Sequence, residues 1–211
     1  EGIPAEHKTL VVVPILLLHP EGIEEELQRL EIRYFANTDT ALQFALLGDL
    51  ADATQQQMPD DEALLKVAKE GIEALDKKYG PEKFFLFHRS RVWSDSENRW
   101  IGCERKRGKL EDLNRFIMGE NKDTLFHTGA AETLRGVEYV ITLDADTQLP
   151  KGKARELVAV LAHPLNAPHL SPDDRSLRRG YSLIQPRVST DFPQTKTSLF
   201  TRIFSEPWKG R

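Results

Sequence analysis

The run Leu10-Val11-Val12-Val13-Pro14-Ile15-Leu16 constrains the fold more than any other stretch of the chain. It is apolar, rich in β-branched residues and without polar alternation, which predicts a strand buried on both faces. Such a strand needs a covering layer on either side, the arrangement of a parallel sheet with helices packed over it. The apolar stretch over residues 10–18 falls far short of the roughly 20 residues that a membrane helix needs, and it lacks the flanks of a signal peptide.

The rest of the sequence supplies those layers. Pro20 starts a predicted helix with Ile23, Leu27, Leu30 and Tyr34 at helical spacing and acidic residues in its first turn. Residues 42–47 form a second strand ending at Gly48-Asp49. Asp60 and Asp61 cap a helix that carries Leu64, Leu65, Ala68, Ile72 and Leu75 and stops at Tyr79-Gly80-Pro81. Phe84-Phe85-Leu86-Phe87 is the third strand, and a basic helix spans residues 104–118. A fourth strand covers residues 137–143 and a further helix residues 153–162. Residues 163–180, with Pro164, Pro168 and Pro172, read as a surface loop, and residues 181–185 as a fifth strand. Strands alternating with helices predict an α/β fold, a mostly parallel, Rossmann-like sheet with helices on both faces.

Composition narrows the function classes. A formal net charge of -4 with interspersed signs offers no basic face for nucleic acid. The single cysteine, Cys103, excludes an internal disulfide and a cysteine-based zinc cluster, and its context is that of a packing residue.

In parallel sheets, ligands bind beyond the carboxyl ends of the strands. The predicted ends deliver Pro14, then Gly48-Asp49 with Asp52, then His88-Arg89-Ser90-Arg91, and then Asp144-Ala145-Asp146-Thr147. Acidic and basic groups together suit a metal–diphosphate ligand. In an extended segment Asp144 and Asp146 point the same way and can face one hard cation, Mg²⁺ or Mn²⁺. The plain alternative is a turn after a strand, where Asp and Thr are common. The stretch from Glu104 through Arg107 and Lys109 to Asn114 offers cations to a nucleotide, against the alternative of a solvated helix face. Asp49 and Asp52 suit hydrogen bonds from a nucleoside, or equally a turn and a helix cap. His88 reads as a structural hydrogen bonder, and Trp93 and Trp100 as packing residues beside a possible sugar site.

Gly108-Lys109 with Leu113-Asn114 resembles the G-K-x-x-x-L-N element of family-2-type inverting glycosyltransferases, and residues 141–147 resemble their metal-binding D-x-D strand. The longer strings at 100–110, 139–150, His163-Pro164-Leu165-Asn166 and Gln185-Pro186-Arg187-Val188 resemble the glucosyltransferase domain of cyclic β-1,2-glucan synthases. The resemblance implies a GT-A fold over residues 9–205, with 1–8 as a lead-in and 206–211 as a tail of unassigned origin. It implies inverting transfer of glucose from UDP-glucose to a growing β-1,2-glucan acceptor, assisted by Mg²⁺ or Mn²⁺. Asp144 and Asp146 would then bind metal and diphosphate, Lys109 the nucleotide, and Asp49 the nucleoside. It further implies a cytoplasmic domain of a large bacterial inner-membrane protein, reaching the membrane only through other parts of that protein.

The general base of such enzymes lies in a T-E-D-like element downstream of D-x-D. The acids after Asp146 are Glu156, Asp173, Asp174, Asp191 and Glu206, and none has that context. The base is therefore expected beyond Arg211, in a chain truncated at the acceptor side that binds donor alone. Two rivals stand: a non-catalytic nucleotide- or partner-binding module, and a haloacid-dehalogenase-like phosphatase. The second is disfavoured by Gln148 and by the distance of the motif from the first strand.

Overall fold

The computed structural model describes residues 2–120, 125–173 and 176–187. The chain divides into two compact units, residues 1–164 and 165–211. The first contains β1 (Thr9–Leu17), α1 (Pro20–Ala36), β2 (Leu42–Leu50), α2 (Asp61–Tyr79) and β3 (Phe84–Arg89). A small hairpin follows, β4 (Val92–Ser94) and β5 (Arg99–Ile101), then α3 (Arg105–Ile117) and β6 (Leu125–His127). β7 (Tyr139–Thr142) and α4 (Lys153–Ala162) complete it.

The five-stranded sheet has the order β6-β3-β2-β1-β7. All its pairings are parallel except that of β6 with β3. This is the mostly parallel α/β arrangement that the apolar run of β1 demands. β2, at the centre, is buried at every position. Two apolar layers flank the sheet. Val11, Val13, Phe44 and Leu46 pack on one face against Ile23, Leu27, Leu30, Ala68 and Ile72 of α1 and α2, joined by Ala154 and Val158 of α4. Leu10, Val12, Ala45, Leu47 and Phe87 pack on the other against Leu113, Phe116 and Ile117 of α3. Each fully buried Leu, Val or Phe contributes about 1.5–3 kcal/mol, so both layers are needed to hold the chain together.

The order of the strands creates a crevice. From β1 the chain steps to β2 and β3 on one side, and later returns to place β7 on the other side of β1. The carboxyl end of β1 is therefore the point where the winding direction reverses, the place where open α/β sheets bind ligands. Pro14 sharpens it. Val12 directs its carbonyl toward β7, accepting from the Leu143 amide. Two residues on, Pro14 faces the same side by strand alternation. The ladder with β7 ends at Val12 paired with Thr142, so the amide hydrogen that proline lacks would have no partner there.

Several expectations change. β2 runs on through Leu50, so Asp49 lies inside the strand. The β4–β5 hairpin and β6 lacked the length to stand out in the sequence. Asp60 occupies the cap position of α2 without a side-chain cap bond, and the Asp61 carboxylate turns away from the helix amides, accepting from the Met58 amide ahead of the helix and from the Arg91 guanidinium. In the second unit, the stretch read as a loop contains a hairpin of β8 (His169–Leu170) and β9 (Leu177–Arg179). Residues 181–185 form no strand, because Gly180 turns the chain at a φ of 84° and the Tyr181 amide bonds back to the Asn166 carbonyl. Asp174, Asp191 and Glu206 lie outside the described residues.

Candidate functional site

A cleft of about 480 Å³ opens at the carboxyl end of β1. Its floor is apolar, from Pro14 and Leu16. One wall comes from α3 with Arg105, Lys106 and Lys109, and the opposite wall from the start of α1 with Glu25 and Glu26. Asp49 and Asp52 line the β2 side, and Ala145 carries the β7 side.

Beneath the α3 wall lies a buried charge network. The Arg89 guanidinium donates from Nε and Nη2 to the two Asp49 carboxylate oxygens at 2.9 and 3.0 Å. Its Nη1 donates to Asp112 at 3.1 Å. The remaining donor capacity is spent on the carbonyls of Cys103 at 3.0 Å and Arg105 at 3.2 Å. Arg89 thus ties β2, β3 and the first turn of α3 into one piece. Burial acts to lower its pKa, but Asp49 and Asp112 together outweigh this and hold it above the usual arginine value. Lys109 is also buried; its Nζ donates to the Ile15 carbonyl at 2.7 Å and lies 3.5 Å from Asp49. Burial lowers the Lys109 pKa against the opposing pull of Asp49.

Two glycines make this close approach possible. A Cβ on Gly102 would lie 2.8 Å from the Asp49 carboxylate, and one on Gly108 would lie 2.2 Å from the Cys103 carbonyl oxygen. Glu104 and Arg105 take left-handed backbone angles, φ 51° and 48°, where the chain turns into α3. Such angles cost of order 1–3 kcal/mol at non-glycine residues. Arg89, bonded to the Cys103 and Arg105 carbonyls, holds that turn in place.

The exposed part of the wall behaves differently. Arg105 donates to Asp52 and to Glu97, both at 2.8 Å, and Asp52 first among them raises its pKa. Lys106 reaches across the end of β1 to the Asp144 carboxylate. Arg107 pairs with Glu104 at the helix surface, and its side chain is 75% exposed. Of the two, it is Lys106 that lines the cleft.

The residues 144–147 do not continue β7 as an extended strand. The Thr147 amide bonds to the Asp144 carbonyl at 2.9 Å, which closes a β-turn. The extended-strand argument for aligned carboxylates therefore fails. The turn instead presents Asp144 and Asp146 as exposed side chains on either side of the cleft-lining Ala145. Two hard oxygen donors at an open rim fit a cation that takes one or two carboxylates and completes its shell with phosphate and water. Among the described residues no group of three or more His, Cys, Asp or Glu forms a closed metal cage.

Sequence reasoning named Arg89 as a strand-end group and Arg105 and Lys106 within the basic stretch without giving any of them a partner, and it passed over Asp112; these residues meet only through the sheet. It also passed over Arg33 of α1. A cation at that position on the buried stripe of Ile23, Leu27 and Leu30 was the available signal. His88 sits on β3 stacked on Phe126, ring centroids 5.2 Å apart, with a buried Nδ1 that has no hydrogen-bond partner. Cys103 is exposed rather than packed. Trp100 bonds through its backbone to Ala53 at 2.9 Å in both directions, so the hairpin docks on the segment after β2.

No protein-family profile matches the chain. Over 209 residues it is 42% identical to the cyclic beta-(1,2)-glucan synthase NdvB of Rhizobium meliloti (strain 1021), an alignment covering 97% of this chain and 7% of that protein. The chain is a homologue of one segment of NdvB. It spans only that small share of NdvB's length. No helix among the described residues is long and apolar enough to cross a membrane.

Proposed function

We propose that this chain is the donor-binding part of a glucosyltransferase domain that takes UDP-glucose with Mg²⁺ or Mn²⁺, in a bacterial machinery that builds β-1,2-glucan. The observation that carries the reading is the placement of the Asp144–Asp146 turn across the end of β1 from Arg105 and Lys106. Lys106 of the α3 wall is in ion-pair contact with Asp144, and Ala145 between the two aspartates lines the cleft, so an acidic turn and a cationic wall meet at its rim.

A diphosphate placed there meets Arg105 as a planar fork and Lys106 as a mobile point charge. Lys106 would exchange Asp144 for the phosphate, leaving that carboxylate free to hold the cation. The exchange costs little, since both side chains are about half exposed. A divalent ion on Asp144 and Asp146 would neutralise the diphosphate and ease its departure. Asp49, at the cleft edge but held on both oxygens by Arg89, gives a fixed acceptor for a base or nucleoside N–H. Asp52 is freer, and its bond to Arg105 can be exchanged for a ribose hydroxyl. Lys109, too buried to follow a phosphate, anchors the end of β1 and supports Asp49. NdvB's name describes synthesis of the cyclic glucan, and homology to a segment of it supports a sugar substrate.

Calorimetric titration of the chain with UDP-glucose, with and without Mn²⁺, tests the reading. The expected result is binding strengthened at least tenfold by the metal, the strengthening disappearing in the Asp144→Asn/Asp146→Asn double variant. Equal binding with and without metal, or no binding by the folded chain, would refute it.

A further inference from the structure

The last turns of α1 hold the acidic turn from behind. Arg33 is 4% exposed and lies three residues beyond Leu30 on the stripe that packs against the sheet. Its Nη2 donates to the Ala145 carbonyl at 2.6 Å and to the Thr147 carbonyl at 2.9 Å, and its Nε donates to the Thr147 carbonyl at 3.2 Å. One helical turn later, Asn37 donates from Nδ2 to the Leu149 carbonyl at 3.0 Å and accepts from the Ala154 amide at 3.1 Å. The Ala36 carbonyl accepts from the Gly152 amide at 3.1 Å. A single rigid helix thus fixes the backbone from Ala145 to Ala154 at several points.

The chemistry of this arrangement is selective. A carbonyl can be held by any donor, but one planar guanidinium gripping carbonyls two residues apart fixes both the position and the tilt of the turn between them. The side chains that project from it, Asp144 and Asp146, are left exposed. Burying an arginine costs free energy unless its donors are met, and here Nε and Nη2 find carbonyls while Nη1 finds no hydrogen-bond partner among the described residues. Burial lowers the Arg33 pKa, against the opposing pull of Glu26 and Asp146.

We infer that Arg33, assisted by Asn37, is a positioning residue that sets the geometry of the Asp144–Asp146 turn for a divalent cation. The inference rests on the donor-site reading above. Arg33 touches neither metal nor nucleotide and acts through the carbonyls of Ala145 and Thr147. Loss of its fork would leave UDP contacts at the α3 wall in place while the turn drifts away from cation-binding geometry. The effect therefore falls on the metal-dependent part of binding alone.

The test is Arg33→Lys, which keeps the charge and loses the fork, with Asn37→Ser as a milder variant should Arg33→Lys not fold. Two quantities are measured on each folded variant: amide hydrogen exchange of residues 144–149, and UDP affinity with and without Mn²⁺. The expected result is exchange in that segment faster by about tenfold or more, with β1 and β2 unchanged. Metal-free UDP affinity stays within about twofold, and most of the Mn²⁺-dependent gain is lost. Unchanged exchange would overturn the clamp itself. Faster exchange with the Mn²⁺ gain intact would overturn its role in positioning. Absence of any Mn²⁺ gain in the unsubstituted chain would instead bring down the donor-site reading, and this inference with it.

Discussion

Replacing Asp49 by Asn should cost this protein about 3–5 kcal/mol of stability. Asp49 and Arg89 have side chains 5% and 3% exposed and share two hydrogen bonds of 2.9 and 3.0 Å. An asparagine keeps the shape and one acceptor, but turns an NH₂ group toward an N–H of Arg89. The guanidinium keeps Asp112 as its one remaining carboxylate, and Lys109 loses the carboxylate 3.5 Å away. Breaking a buried pair from one side typically costs that much, because the other charge stays buried with much of its compensation gone. At about 2–4 °C per kcal/mol for a chain of this size, the melting temperature should fall by about 6–20 °C. Asp52→Asn is the internal control. Its pair with Arg105 is 23% and 59% exposed on the two sides, so its loss should cost under about 1 kcal/mol. Urea unfolding of both variants, fitted at a common slope, gives the two numbers directly. An Asp49→Asn cost under about 1 kcal/mol, or no greater than that of Asp52→Asn, would refute the claim that this network holds the α3 wall.

Further outcomes follow from the same geometry. Burial lowers the His88 pKa in the folded state, so the unfolded chain takes up a proton first. The stability His88 contributes is complete above the unfolded value and is lost as pH falls below it. Denaturation at pH 7.5 and 5 should show a drop that shrinks in His88→Gln, and an equal drop in both proteins would count against it. Gly108→Ala places a Cβ 2.2 Å from a backbone oxygen and should cost about 1–3 kcal/mol, with UDP affinity falling alongside stability. Lys106→Gln should leave stability within about 0.5 kcal/mol while weakening UDP about tenfold; isothermal titration and a melting curve separate the two effects.

The sequence carried the sheet and the helices because each announces itself locally. The β-branched run of β1, the phenylalanines of β3 and the stripes of α1 and α2 are periodic signals within a few residues. Strand order was not legible. Nothing local says that β7 returns to the far side of β1, or that Pro14 falls where the ladder has already ended. The site was legible in part for the same reason. Asp144-Ala145-Asp146 stands out as a string, but its turn depends on Arg33, more than a hundred residues earlier. Asp49 read as a strand-end acid, whereas its burial against Arg89 and Lys109 is a product of three strands and a helix meeting. Arg107 and Lys106 are neighbours in a basic run. Only the phase of α3 relative to the sheet places Lys106 on the cleft.

The most direct measurement is a crystal structure of the chain soaked with UDP and Mn²⁺, with anomalous data collected at the manganese edge. The predicted result is one manganese peak bridging the diphosphate to Asp144 and Asp146, with Arg105 and Lys106 on the phosphates and Lys106 released from Asp144. Manganese away from that turn, or nucleotide bound outside the cleft at the end of β1, would contradict the account.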